Sequence, residues 1–78
     1  MQKGQYRIII TRHATEQVYR RRIHENIIEN TIQQGKMEYF GKNNVKFIKE
    51  FRRGTICCMD EIINDTIVIV TITKTVKK

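Results

Sequence analysis

Ile67-Val68-Ile69-Val70 constrains this chain more than any other segment. Four consecutive β-branched residues disfavour helix and suit an extended strand. Neighbouring side chains on a strand point to opposite faces, so the run is apolar on both. A strand of that kind, over residues 66–73, belongs in the middle of a sheet with both faces covered. Ile8-Ile9-Ile10 makes a similar demand near the start and places a first strand over residues 6–11.

Between these strands the pattern is first helical and then extended again. Thr11 is placed to cap a helix that begins at Arg12 and stops near Arg22, with Ala14 and Val18 as a narrow buried stripe and Tyr19 at its edge. A second helix is predicted over residues 25–34, where Ile27, Ile28 and Ile32 continue an apolar stripe from Ile23. His24 serves as its cap, Glu25 and Glu29 suit its amino end, and Gly35 stops it. Strands follow over residues 37–40, 45–51 and 55–59, with turns at 41–44, at Arg53-Gly54 and at Asn64-Asp65. Tyr6, Tyr39, Phe40, Phe47 and Phe51 are expected in the core, and residues 74–78 are expected to fray. The predicted fold is a single α+β domain over residues 1–78. Two N-terminal helices pack on one face of a mostly antiparallel, four- to five-stranded sheet, in the order β-α-α-β-β-β-β.

Charge narrows the partners. Fifteen Lys and Arg against eight acidic residues leave a net +7 on 78 residues, a positive field suited to polyanions. RNA and an acidic, antitoxin-like protein are the partners that follow. No apolar run approaches the roughly 18 residues of a membrane span, and no leader pattern opens the chain, so a cytoplasmic protein without membrane contact is expected. Cys57 and Cys58 are the only cysteines, and as neighbours on a strand they point one inward and one outward, with no disulfide framework. His13 and His24 have no ligand spacing, so neither a metal nor another cofactor is expected.

The segment from His13 to Ile23 carries the candidate chemistry. His13 and Arg21 are eight positions apart and lie roughly on one side of a helix of about 3.6 residues per turn. Metal-free RNA cleavage needs a base for the 2′-hydroxyl and a cation for the charge that develops on phosphorus, and these two residues fit those roles. Three arginines in a row, Arg20, Arg21 and Arg22, point around most of the helix, so at least one should lie beside the sheet; the plainer alternative is a solvated helix face with one arginine paired to Glu16 or Glu25. Arg12, Arg20, Arg22, Lys49, Arg52, Arg53 and Lys74 would extend a basic, nucleic-acid-binding patch.

His13-Ala14, Val18, Arg21 and Ile23 resemble a family of short domains of unknown function. Its pattern is a strand, then His-Ala, two spaced arginines and an Arg-Gly-Ile-type start to a second helix. Gly35 and the final Val68-Ile69-Val70-Thr71 strand follow the same layout. That family is grouped with the fold of barnase, colicin and RelE-type toxin ribonucleases, which implies metal-independent RNA cleavage by the toxin half of a pair. The chain departs from the pattern at Gln17, in place of the first arginine, at Arg22, in place of the glycine, and at His24, in place of a serine-like cap. Its last strand offers Thr71, Thr73 and Lys74 but no Tyr or His. Three readings stay open. One is a toxin-like ribonuclease with His13 and Arg21 as catalytic residues. Another is a non-catalytic module of the same fold that binds nucleic acid or an acidic protein. The third is a homodimer paired through a sheet edge, with the last strand outermost.

Overall fold

In the computed structural model, which describes residues 2–76, a strand precedes the first apolar run. β1 (Gln2–Lys3) turns through Gly4, whose φ of 59° favours a residue without Cβ, into β2 (Tyr6–Ile10). α1 (Arg12–Arg20), α2 (Glu25–Gln34), β3 (Lys36–Tyr39), β4 (Asn44–Phe51), β5 (Gly54–Ile63) and β6 (Thr66–Val76) follow. The six strands form one curled sheet in the order β1-β2-β6-β5-β4-β3. Neighbours are antiparallel except β2 and β6, which run parallel with Ile8 beside Ile67 and Ile10 beside Ile69.

This overturns the predicted architecture. The sheet has six strands rather than four or five and is mixed, and the order is β-β-α-α-β-β-β-β. The extra strand β1 carries no apolar side chain; a tight turn, Lys3 and a hydrogen bond donated by Gln33 Nε2 to the Gln2 carbonyl hold it. Lys3 Nζ donates to the carbonyls of Ile32 (2.7 Å) and Gln33 (3.0 Å), which the end of α2 leaves without helical partners. The same ammonium lies 5.4 Å from the centre of the Phe47 ring on β4. Three strands separate β1 from β4 in the sheet, so Lys3 reaches Phe47 only because the sheet curls.

β6 has strand neighbours on both sides and cannot be outermost, so any pairing through a sheet edge would have to use β1 or β3. Only one of its faces is well covered. Ile67, Ile69 and Ile72 are buried, whereas Val68 is half-buried and Val70 is 37% exposed. The strand also extends to Val76, paired with Gly54, where fraying was expected; residues 77 and 78 lie outside the described residues. Tyr39, expected inside, is 64% exposed because it lies on the edge strand β3.

Both helices pack on the sheet face that carries Ile8, Ile67, Ile69, Ile72, Ile56, Cys58, Val45 and Phe47, where Ala14, Ile23, Ile28 and Ile32 complete one buried cluster. Ile69 and Ile72 both point into it although three residues apart. A bulge explains this: Met59 faces Thr71 and Asp60 faces Ile69, which leaves Val70 unpaired. Helix α1 takes up the backbone groups beside the bulge. Thr11 donates to the Ile69 carbonyl from both Oγ1 (2.9 Å) and N (3.1 Å), and the Ile72 N–H donates to Gln17 Oε1 (2.8 Å). Gly35 ends α2 for a steric reason rather than a left-handed one. Its φ is −72°, and a Cβ there would strike the carbonyl of Thr31 and lie 2.8 Å from that of Ile48.

Asp60, beside the bulge, is the one acidic side chain in the core. It is 2% exposed, neither carboxylate oxygen has a hydrogen-bond partner, and burial pushes its pKa up to about 8. Two outcomes follow from this packing. Gln17→Leu removes the acceptor for a half-buried N–H and should lower the unfolding free energy by about 1–2 kcal/mol, measured by urea titration. For Asp60, the unfolded carboxyl ionises near its ordinary value while the folded one keeps its proton until about pH 8. Stability relative to Asp60→Asn should therefore fall by up to about 1.4 kcal/mol per pH unit between about pH 4 and pH 8, and level off above. Parallel stability curves for the two proteins across that range would contradict it.

Candidate nucleic-acid interface

The corner between the helices sets the position of the candidate site. Ile23 is buried, and its N–H donates to the Val18 carbonyl (3.0 Å), which ties the loop back onto α1. Arg22 turns the chain with a φ of 53°, a left-handed value that residues with a Cβ seldom adopt. His24 then caps α2, its Nδ1 accepting the Asn26 N–H at 3.1 Å. With Nδ1 so engaged, the neutral ring carries its proton on Nε2 and presents a donor outward.

Opposite this corner lies the end of the β4–β5 hairpin with Lys74 of β6, which pairs with Ile56. Together they enclose a hollow of about 330 Å³ with an apolar floor of Ile23, Ile27, Phe51 and Ile56. Its polar walls are Arg22, His24, Arg52, Arg53 and Lys74, and no acidic residue lines it. None of these four cations is in an ion pair among the described residues. Four like charges converge without neutralisation, an arrangement that favours an anion.

The residues expected at the site divide. Arg22, Arg52, Arg53 and Lys74 come together here. His13, in the first turn of α1, and Arg21, its C-cap, are both exposed, and neither lines a hollow described here. Eight residues of helix separate them by about 12 Å along the axis. Arg12 pairs instead with Glu16 (3.6 Å), so the expected pairing of Glu16 with the arginine run does not form. Arg20 is exposed at the end of α1, and none of the three consecutive arginines is buried against the sheet. Lys49 is committed elsewhere: Nζ donates to Asn30 Oδ1 (2.8 Å) and Gln34 Oε1 (3.4 Å) and lies 5.5 Å from the Phe51 ring centre, holding α2 to β4.

A second hollow, of about 530 Å³, opens between α1 and α2 and shares Arg22 and Ile23 with the first. Ile10, Val18 and Ile28 line its floor, and Thr15, Tyr19, Glu25 and Glu29 its rim. A third, of about 570 Å³, lies between the two edges of the curled sheet, against Lys3, Tyr6, Met37, Tyr39 and Ile67. Cys58 is buried and Cys57 half-buried on the opposite face, and burial raises both thiol pKa values, which keeps them protonated. Among the described residues no group of three or more His, Cys, Asp and Glu is placed to hold a metal ion, and no helix is long and apolar enough to cross a membrane. Comparison with protein-family models, curated proteins and solved structures finds no match to this chain.

His24 is the site residue that sequence reasoning assigned only a capping role; what marked it was its place directly after Arg22 and Ile23 at a helix–helix corner. The capping role is measurable apart from any ligand. His24→Ala should lower stability by about 1 kcal/mol and His24→Asn should largely restore it, since asparagine is a strong cap. Equal melting temperatures for all three proteins would show that the cap contributes nothing.

Proposed function

We propose that this protein is a small basic module that binds the phosphate backbone of RNA in the hollow between the α1–α2 corner and the β4–β5 hairpin. The observation that carries the reading is the convergence of Arg22, Arg52, Arg53 and Lys74 on one acid-free hollow that His24 also lines. Guanidinium groups bind phosphate through a planar fork, and Lys74 adds a point charge. The apolar floor lowers the local dielectric and strengthens each contact.

A toxin-like, metal-independent ribonuclease is the second reading, and His24 is the observation that favours it. An Nε2–H beside bound phosphate is the proton donor that a leaving oxygen needs. No second residue lining this hollow is a base for the 2′-hydroxyl, since Nδ1 of the same ring is engaged by Asn26. Binding without cleavage therefore has the greater support. An acidic partner protein would meet the same cations.

Fluorescence anisotropy with a labelled RNA oligonucleotide, across a salt series, tests the proposal. Each phosphate contact on a single strand contributes about −0.7 to the slope of log K against log salt, so four cations imply a slope near about −3. Arg52→Ala/Arg53→Ala/Lys74→Ala should weaken binding and make the slope shallower by about 2. Binding that ignores both salt and these substitutions would sink the reading. RNA cleavage that survives a chelator and vanishes in His24→Ala, or in His13→Ala, would put the ribonuclease in its place.

A further inference from the structure

The two hollows that meet at Arg22 and Ile23 are opposite in character. One is ringed by cations, whereas the groove between α1 and α2 has an apolar floor, an exposed aromatic rim residue and two carboxylates. Its volume of about 530 Å³ falls within the ordinary range for small-molecule sites. Tyr19 is 77% exposed at its rim, so its ring face is open to a planar group.

We infer that this groove receives an unpaired nucleobase of the strand whose phosphate occupies the basic hollow. The inference rests on the RNA-binding reading and deepens it: the ligand is single-stranded, with its bases splayed from the backbone. Arg22 lines both cavities, so a phosphate and its attached nucleoside can occupy the two together. A base inside a duplex could not enter a groove between two helices; an unstacked one can lie against Tyr19 over Val18 and Ile28.

Glu25 and Glu29 then set a preference among bases. They lie at i and i+4 on α2, where like charges disfavour the helix, and neither is in an ion pair despite the excess of cations in the chain. Ionised carboxylates accept hydrogen bonds and cannot donate them. Adenine, cytosine and guanine offer exocyclic amino donors to such a rim. Uracil offers one N–H flanked by two carbonyl oxygens, which the carboxylates repel. The groove therefore favours amino-bearing bases over uracil.

Labelled eight-nucleotide strands of adenylate, cytidylate and uridylate, an adenylate–uridylate duplex and inorganic polyphosphate are titrated against the intact protein at fixed low salt. The adenylate and cytidylate strands should bind more tightly than uridylate, the duplex or polyphosphate. Tyr19→Ala should weaken adenylate binding about tenfold with the salt slope unchanged. Glu25→Gln/Glu29→Gln should raise uridylate affinity towards that of adenylate. All three positions are exposed, and circular dichroism checks that the variants remain folded. Salt-sensitive binding that is equal for all these ligands, and unaffected by Tyr19→Ala, overturns the nucleobase inference and leaves the phosphate reading intact. Absence of salt-sensitive binding to every ligand overturns both. Saturable binding of a basic helical peptide that blocks the groove while leaving adenylate affinity unchanged assigns the groove to protein and also overturns it.

Discussion

The bulge in β6 is the constraint on which the rest of the molecule depends. A regular strand can turn only alternate residues inward, yet Ile69 and Ile72 both reach the core because Val70 drops out of register. The irregularity leaves backbone groups in need of partners, and α1 supplies them through Thr11 and Gln17. These contacts seat α1 on the central strand. The seat fixes where α1 ends, hence where Arg22 and Ile23 turn, and hence where α2 begins over β4. Gln17 suits this place because an uncharged acceptor meets a half-buried backbone donor, whereas a guanidinium, with donors only, could not.

Much of the local structure was legible because burial dominates it. Ile8 to Ile10 and the run from Ile67 to Val70 mark strands through β-branching, and Ile27, Ile28 and Ile32 mark a helix through spacing. The architecture was not legible, for identifiable reasons. Gln2 and Lys3 have no apolar signal, and β1 persists through a lysine that finds carbonyls about thirty residues further along the chain. Nothing local says that β2 runs parallel to β6. Nor does a uniformly apolar run reveal which of its residues is skipped. Nothing in the sequence marks Asp60 as a core residue either; the strand register places it inside.

The site shows the same division. Arg22, Arg52, Arg53 and Lys74 were recognisable as basic, but their meeting depends on topology, because the helix corner reaches the hairpin end only when α2 packs over β4 and β5. His13 and Arg21 were paired by helical periodicity alone, and about two turns of helix hold them apart. His24 has two places at once: its Nδ1 fixes the helix start, and the residue lines the hollow with the cations. Lys49 shows the converse, a charge that looks available in the sequence and is consumed in holding a helix to a strand.

The parallel contact of β2 with β6 also governs how the chain acquires its shape. Ile8 and Ile10 meet Ile67 and Ile69, each 59 positions further along the chain, so loop closure must be met before that pairing contributes anything. On the ribosome, the first isoleucine strand emerges early and waits, one edge unsatisfied, until the last has been synthesised. The β3–β4–β5 meander, joined by short local turns, is the segment free to order first. That one long-range pairing then closes last, after an interval in which the early strand is open to mispairing or to a chaperone.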